Sequence, residues 1–189
     1  MVTNDKWYVE KDKSSPLSQG EIIKDCPILI PPSYIAIDGD KVEVEELLGQ
    51  IYNIIVLSQS CDLQHSKLTN VLVCPIWELS RFADNNSYYK SYKAKEELRR
   101  GIIPGYHLMN KCEIIDFNDY IVADFRNVYS IDYNFLIELS NIRDNKRICL
   151  LSPYLEHLSQ AFARFFMRVG LPSDIEPFTK NVKLSNIQP

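Results

Sequence analysis

Cys61 and Asp62 end a short polar run, Ser58-Gln59-Ser60-Cys61-Asp62, that follows directly on the apolar run Ile54-Ile55-Val56-Leu57. A buried strand that delivers a thiol, a carboxylate and two hydroxyls to its C-terminal end is a plausible way to build a site. As a nucleophile Cys61 needs a base or a cation beside it, because only a small fraction of an ordinary thiol is ionised at neutral pH. His65 or His107 would meet that need, while the neighbouring Asp62 works against a second negative charge. The competing reading is a small buried cysteine followed by a turn-capping aspartate.

Three further groups have the residue types for binding. In Tyr106-His107-Leu108-Met109, alternation sets Tyr106 and Leu108 on one face of a strand and His107 and Met109 on the other. Between 88 and 100, Tyr88, Tyr89 and Tyr92 are interleaved with Lys90, Lys93, Lys95, Arg99 and Arg100, against only Glu96 and Glu97. Tyrosine rings stack on unpaired bases and cations follow phosphates, so this stretch reads as one wall of a nucleic-acid groove. Its alternative is a solvated helix whose rings cover the core. Near the C-terminus Arg164 and Arg168 fall within about 20° of His157 on a helical wheel, beside the apolar stripe Leu158, Phe162, Phe165 and Val169. These cations either line a surface or lie over the core and pair with local acids.

The bulk numbers limit the choices. The chain has 189 residues, enough for one domain, with 46% hydrophobic and 24% charged residues. A net charge of -4 argues against a broad non-specific nucleic-acid binder but allows a local basic groove. Five cysteines at 26, 61, 74, 112 and 149 form no C-x-x-C pair, and the three histidines have no ligand spacing, so no metal and no cofactor are expected. The N-terminus is charged and no apolar run is long enough to span a membrane. Free thiols in a reducing cytoplasm are the expectation.

The elements that must position these residues are mostly strands. Residues 1–19 read as a polar arm. Gly20 to Ile30, Tyr34 to Ile37, Lys41 to Glu45, Ile51 to Leu57, Leu68 to Ile76, Tyr106 to Leu108, Glu113 to Phe117, Tyr120 to Val128 and Lys146 to Leu151 are strand candidates, with a hairpin turn at Asp38-Gly39-Asp40. Asn134 to Leu139 suits one or two helical turns. Residues 80–105 form a polar, partly helical insertion. Ser152 as N-cap and Pro153 at the first position open a helix over 153–169, and 171–189 is a tail. The sum is a mainly β (α+β) domain over 20–170, a small coiled antiparallel barrel with helical additions.

The order of these pieces resembles the PemK/MazF family, small SH3-like barrels that include the endoribonucleases of toxin–antitoxin modules. The resemblance rests on Gly20-Glu21-Ile22-Ile23, on Gly49 followed by Ile54-Ile55-Val56-Leu57-Ser58, on Val71 to Ile76, and on Val122-Ala123-Asp124 through Tyr129-Ser130-Ile131-Asp132. Two positions depart from it. Gln50-Ile51-Tyr52-Asn53 holds no arginine where the ribonucleases carry one, and Trp77-Glu78 replace a Thr or Ser. The resemblance therefore implies a non-catalytic or divergent component of a bacterial toxin–antitoxin-like or defence system that binds protein or RNA, often as a homodimer. Its alternative is a divergent endoribonuclease. There Asp124 would take the proton of a 2′-hydroxyl and Arg126 would stabilise the phosphorane, both on one strand face. A Cys61-dependent enzyme is the third reading. The loop Ser58 to Asp62 is expected to line a pocket with Asp124 and Arg126. The chain also resembles bacterial proteins that combine Ser58-Gln59-x-Cys61-Asp62-Leu63 with the closing helix Ser152 to Pro172, and that resemblance implies no activity.

Overall fold

The computed structural model describes residues 6–30, 36–38, 41–43, 48–65, 67–142 and 147–167. Strands β1 (Tyr8–Lys11), β2 (Glu21–Ile30), β3 (Ala36–Asp38), β4 (Lys41–Glu43) and β5 (Leu48–Val56) come first, and helix α1 (Ser60–Gln64) follows. Strand β6 (Asn70–Glu78) leads into α2 (Leu79–Asn85), a 3-10 turn (Ser87–Lys90) and α3 (Tyr92–Arg99). Then come β7 (Tyr106–Met109), a 3-10 turn (Glu113–Ile115), β8 (Ile121–Asp124) and β9 (Tyr129–Asp132). Helix α4 (Tyr133–Ile142), strand β10 (Arg147–Leu150) and helix α5 (Tyr154–Phe166) complete the order.

Eight strands make one antiparallel sheet, ordered β1-β10-β2-β5-β6-β8-β7, with β9 also paired to β6. The fold is α+β, as the strand-rich sequence implies, and the main path of the sheet is open, ending at β1 and β7. Strands β3 and β4 pair separately as a hairpin. The expected turn residues Gly39 and Asp40 lie outside the described residues, as do Tyr34 and Ile35.

Alternation explains why the central strands are so apolar. In β5, Ile54 and Val56 join one core cluster with Val71, Val73, Leu136 and Leu139. Ile55 and Leu57 join the opposite cluster with Cys74, Ile76, Phe125, Ile148 and Leu158. A strand covered on both faces needs two apolar sets, one per face. In β2 the register shifts between Ile23 and Cys26, with Asp25 at φ 53. That extra residue keeps Ile23, Cys26 and Ile28 on one core face. Strand β6 changes partner along its length, from β9 at Asn70–Val73 to β8 at Ile76–Glu78. Pro75 falls in the gap, where a missing amide hydrogen is tolerated.

Several expectations need correction. The polar arm is not free of structure: Tyr8–Lys11 pairs with β10, Tyr8 is buried, and Leu17 is fully buried. A buried ion pair accounts for this, since Arg147 grips Glu21 through Nε–Oε1 at 2.5 Å and Nη2–Oε2 at 3.0 Å. Lys11 Nζ donates to the same carboxylate at 3.1 Å, and Arg147 Nη1 donates to the carbonyls of Lys13 and Ser15. The charges at Lys11 and Glu21 thus tie residues 11–21 down. Glu113–Ile115 is a 3-10 turn closed by a Cys112–Phe117 bridge, in place of a strand. The long strand expected over Tyr120 to Val128 ends at Asp124 and resumes only at Tyr129. Helix α5 starts after Pro153, and the Ser152 hydroxyl donates to Glu156 Oε1 at 2.9 Å without capping the helix.

Candidate functional site

A cleft of about 350 Å³ opens at the β7 edge of the sheet, walled by α3 and α5. The α3 and α5 walls contribute arginines. The end of α3 supplies Arg99, Arg100 and Gly101, β7 supplies Tyr106, His107 and Leu108, and α5 supplies His157, Gln160 and Arg164. No Asp or Glu is among the described residues that line it.

Local rules set each wall. Ser91 caps α3, its hydroxyl accepting the Ala94 N–H at 3.2 Å. The helix ends in a Schellman arrangement: Gly101 N–H donates to Leu98 O at 2.9 Å and Ile102 N–H to Glu97 O at 3.0 Å. Gly101 takes φ +64, a left-handed conformation that glycine adopts at little cost. Arginines at a helix C-terminus also offset the partial negative charge of its free carbonyls. Arg99 pairs with Glu96 at 2.6 Å, whereas no ion pair is formed by Arg100 or Arg164 among the described residues. The Arg164 guanidinium stands over Gly101, 3.9 Å from where a Cβ would sit. On α5, His157, Gln160 and Arg164 share one face at i, i+3 and i+7. Leu158, Phe162 and Phe165 pack on the core from the other side.

His107 forms the floor. Its ring lies parallel to that of fully buried Phe125, centroids 6.4 Å apart, and Phe125 meets Phe162 and Phe165 in turn. Burial against this aromatic group pushes the His107 pKa down to about 4, and the nearby His157 and Arg164 push in the same direction. His107 is therefore neutral at pH 7.

The other expected residues are placed elsewhere. Asp124 is buried and organises the turn between β8 and β9: Oδ1 accepts the Arg126 N–H at 3.0 Å and Oδ2 the Asn127 side-chain amide at 2.7 Å. Arg126 lies in that turn, beyond β8, so the two residues do not share a strand face. Its exposed guanidinium stacks over the Tyr106 ring at 4.7 Å and packs on Gly105, where an added Cβ would meet Nε at 2.8 Å. Both carboxylate oxygens of Asp124 are thus engaged in holding the turn.

The loop after β5 is built into the scaffold. Ser58 is buried and its hydroxyl accepts the Leu72 N–H at 2.8 Å. Ser60 Oγ accepts the Gln19 N–H at 3.0 Å. Cys61 is exposed, its thiol 3.7 Å from Gln59 Oε1, and Asp62 pairs with Lys67 at 3.5 Å. His65 is exposed at the end of α1, and His107 serves the other cleft. The expected pocket shared with Asp124 and Arg126 is not formed by this loop. Asp124 is level with Pro75 in the β6–β8 register, while Ser58 bonds Leu72. That is three residues, about 10 Å, along β6, and on its opposite side.

In the insertion, Tyr89 is buried against Phe82 and Tyr106, centroids 4.8 and 5.7 Å away, which corrects its reading as a base-stacking ring. Tyr88 donates to Glu97 at 2.6 Å and Lys90 pairs with Asp84 at 2.9 Å. Tyr92 and Lys93 stand exposed at the start of α3, Tyr92 83% so. Arg168 and Val169 lie outside the described residues. The sequence pointed to Arg164 and His107 separately; that they meet, and that Arg99, Arg100 and Gln160 join them, follows from how α3 and α5 pack around β7. None of the five cysteines is in a disulfide, no described helix is long and apolar enough to cross a membrane, and among the described residues no three His, Cys, Asp or Glu side chains gather as metal ligands would. No family model matches the chain, and no curated protein matches it.

Proposed function

We propose that the chain is a non-catalytic RNA-binding module that seats the phosphate backbone in the cleft between α3, β7 and α5. One observation carries this reading: α3 and α5 bring the cations Arg99, Arg100 and Arg164 into one concavity, with His107 and His157 beside them and no carboxylate among the described lining residues, on a chain whose net charge is -4. Chance placement of cations on an acidic protein scatters them among acids. Concentrating them in a groove focuses the field on an anion. Gln160 adds a neutral donor and acceptor, and Tyr92, exposed on α3, offers a ring for an unpaired base.

The barrel plan of the PemK/MazF family belongs to the same proposal, as does the bacterial toxin–antitoxin-like or defence setting that the resemblance implies. The antiparallel succession of β2, β5, β6, β8 and β9 supports it, since these strands carry the apolar segments on which the resemblance rests. The binding role is favoured over RNA cleavage by Asp124, because its carboxylate is committed to the β8–β9 turn.

The test is binding of a labelled mixed-sequence RNA by fluorescence anisotropy at about 0.1 M salt. Arg100→Glu combined with Arg164→Glu is expected to weaken binding by about tenfold or more. The RNA is expected to be recovered uncut, with or without Asp124→Asn. Undiminished binding by the double variant overturns the reading, and so does cleavage by the unaltered chain.

A further inference from the structure

We propose that phosphate binding in this cleft is coupled to proton uptake by His107, so that the cleft holds RNA more tightly as the medium turns acidic. The inference rests on the RNA-binding reading and names a regulation of that site. Its basis is what surrounds the imidazole. From α5, His157 and Arg164 face it, and Arg99 and Arg100 close the opposite wall from α3. From β8 comes Ala123, across the ladder, and from the turn after β8 the Phe125 ring. Its own strand adds Tyr106 and Leu108. Asp124, also on β8, is turned into its own turn and bonded there.

In the empty cleft a proton on His107 would add a further cation to a partly desolvated space with no carboxylate among its described lining residues. Burial, with His157 and Arg164 beside it, accordingly holds the ring neutral down to about pH 4. A phosphodiester seated among Arg100, His157 and Arg164 reverses the sign of that field. The imidazolium then becomes a partner for the phosphate, and the ring takes a proton from solvent as the anion enters. Linkage is reciprocal: if phosphate favours protonated His107, protons favour bound phosphate by the same factor. The sign follows. The free site stays unprotonated between about pH 6.5 and 4 while the bound site is protonated, so affinity rises as pH falls through that window.

The measurement uses a labelled oligouridylate without a terminal phosphate, whose backbone charge is constant over the range, with the fold checked by circular dichroism at each pH. Affinity is expected to rise about tenfold from pH 7.5 to 5.5 if the bound state restores an ordinary histidine pKa. In His107→Gln and His107→Asn the ratio of the affinities at pH 5.5 and pH 7.5, each variant compared with itself, should fall to near one. In the unaltered chain the His107 ring protons, followed by NMR, should titrate near pH 4 when free and markedly higher when the oligouridylate saturates the cleft. Binding that is intact but independent of pH, or a gain that survives in both His107 variants, overturns proton coupling and leaves the RNA reading standing. Absence of binding at both pH values overturns both.

Discussion

Glu21 is fully buried, and its carboxylate is held by Arg147, Lys11 and the Ser18 N–H at once. A buried charge is tolerated only when its partners are all present, because the penalty for desolvating it falls on whichever member is left alone. Glu21→Gln is therefore expected to destabilise the chain by about 3–5 kcal/mol in urea denaturation. Replacing Glu21 and Arg147 together with Leu and Met should recover much of that loss. A loss in the double variant equal to the sum of the two single-variant losses would show that the two residues act independently. This network was not legible in the sequence. A glutamate at a strand start and an arginine before an apolar run carry no sign that they meet, 126 positions apart. Asp124 was legible as an unusual acid in an apolar strand, but not as a turn former, because that depended on the strand stopping at Asp124. His107 was legible as the residue opposite Tyr106, and the structure keeps Tyr106 and Leu108 with the insertion and Met109 with the main core.

At the scale of elements, the cleft depends on where α3 stops. The turn after Arg99 reverses the chain through Gly101, and the Ile102 N–H closes it onto Glu97. An alanine at 101 would have to adopt a positive φ that costs about 1 kcal/mol or more for a residue with a Cβ. Gly101→Ala is expected to lower stability by about that amount and to weaken RNA binding, since Arg99, Arg100 and the bed beneath Arg164 all lie on this turn. Lowered stability with unchanged binding would separate α3 from the site. The strands β5 and β6 were readable because two-sided burial demands continuous apolar runs. The α5 stripe was readable because Leu158, Phe162 and Phe165 recur with helical spacing. The 3-10 turn at Glu113–Ile115 was not, since three residues leave no period to detect. Edge strand β1 was hidden because its burial rests on Tyr8 and on pairing with β10, both set by distant sequence.

For the whole molecule, charge is distributed unevenly. A chain with 25 acidic and 21 basic residues sets a basic cleft at one sheet edge, and it does so with residues from α3, β7 and α5. Composition alone could exclude a broad basic field and could not locate a local one. The sequence presented the insertion and the C-terminal helix as two separate basic lines; packing on either side of β7 merges them. The same packing leaves the Ser58–Asp62 loop on the other side of β6, bonded into the scaffold. Chemical-shift mapping of the isotope-labelled chain with the oligouridylate tests this division most directly. Shifts are expected to concentrate at Arg100, Gly101, His107, Gln160 and Arg164, with Ser58 to Asp62 unmoved. Shifts concentrated at Ser58 to Asp62, or none at the α3–β7–α5 cleft, would contradict it.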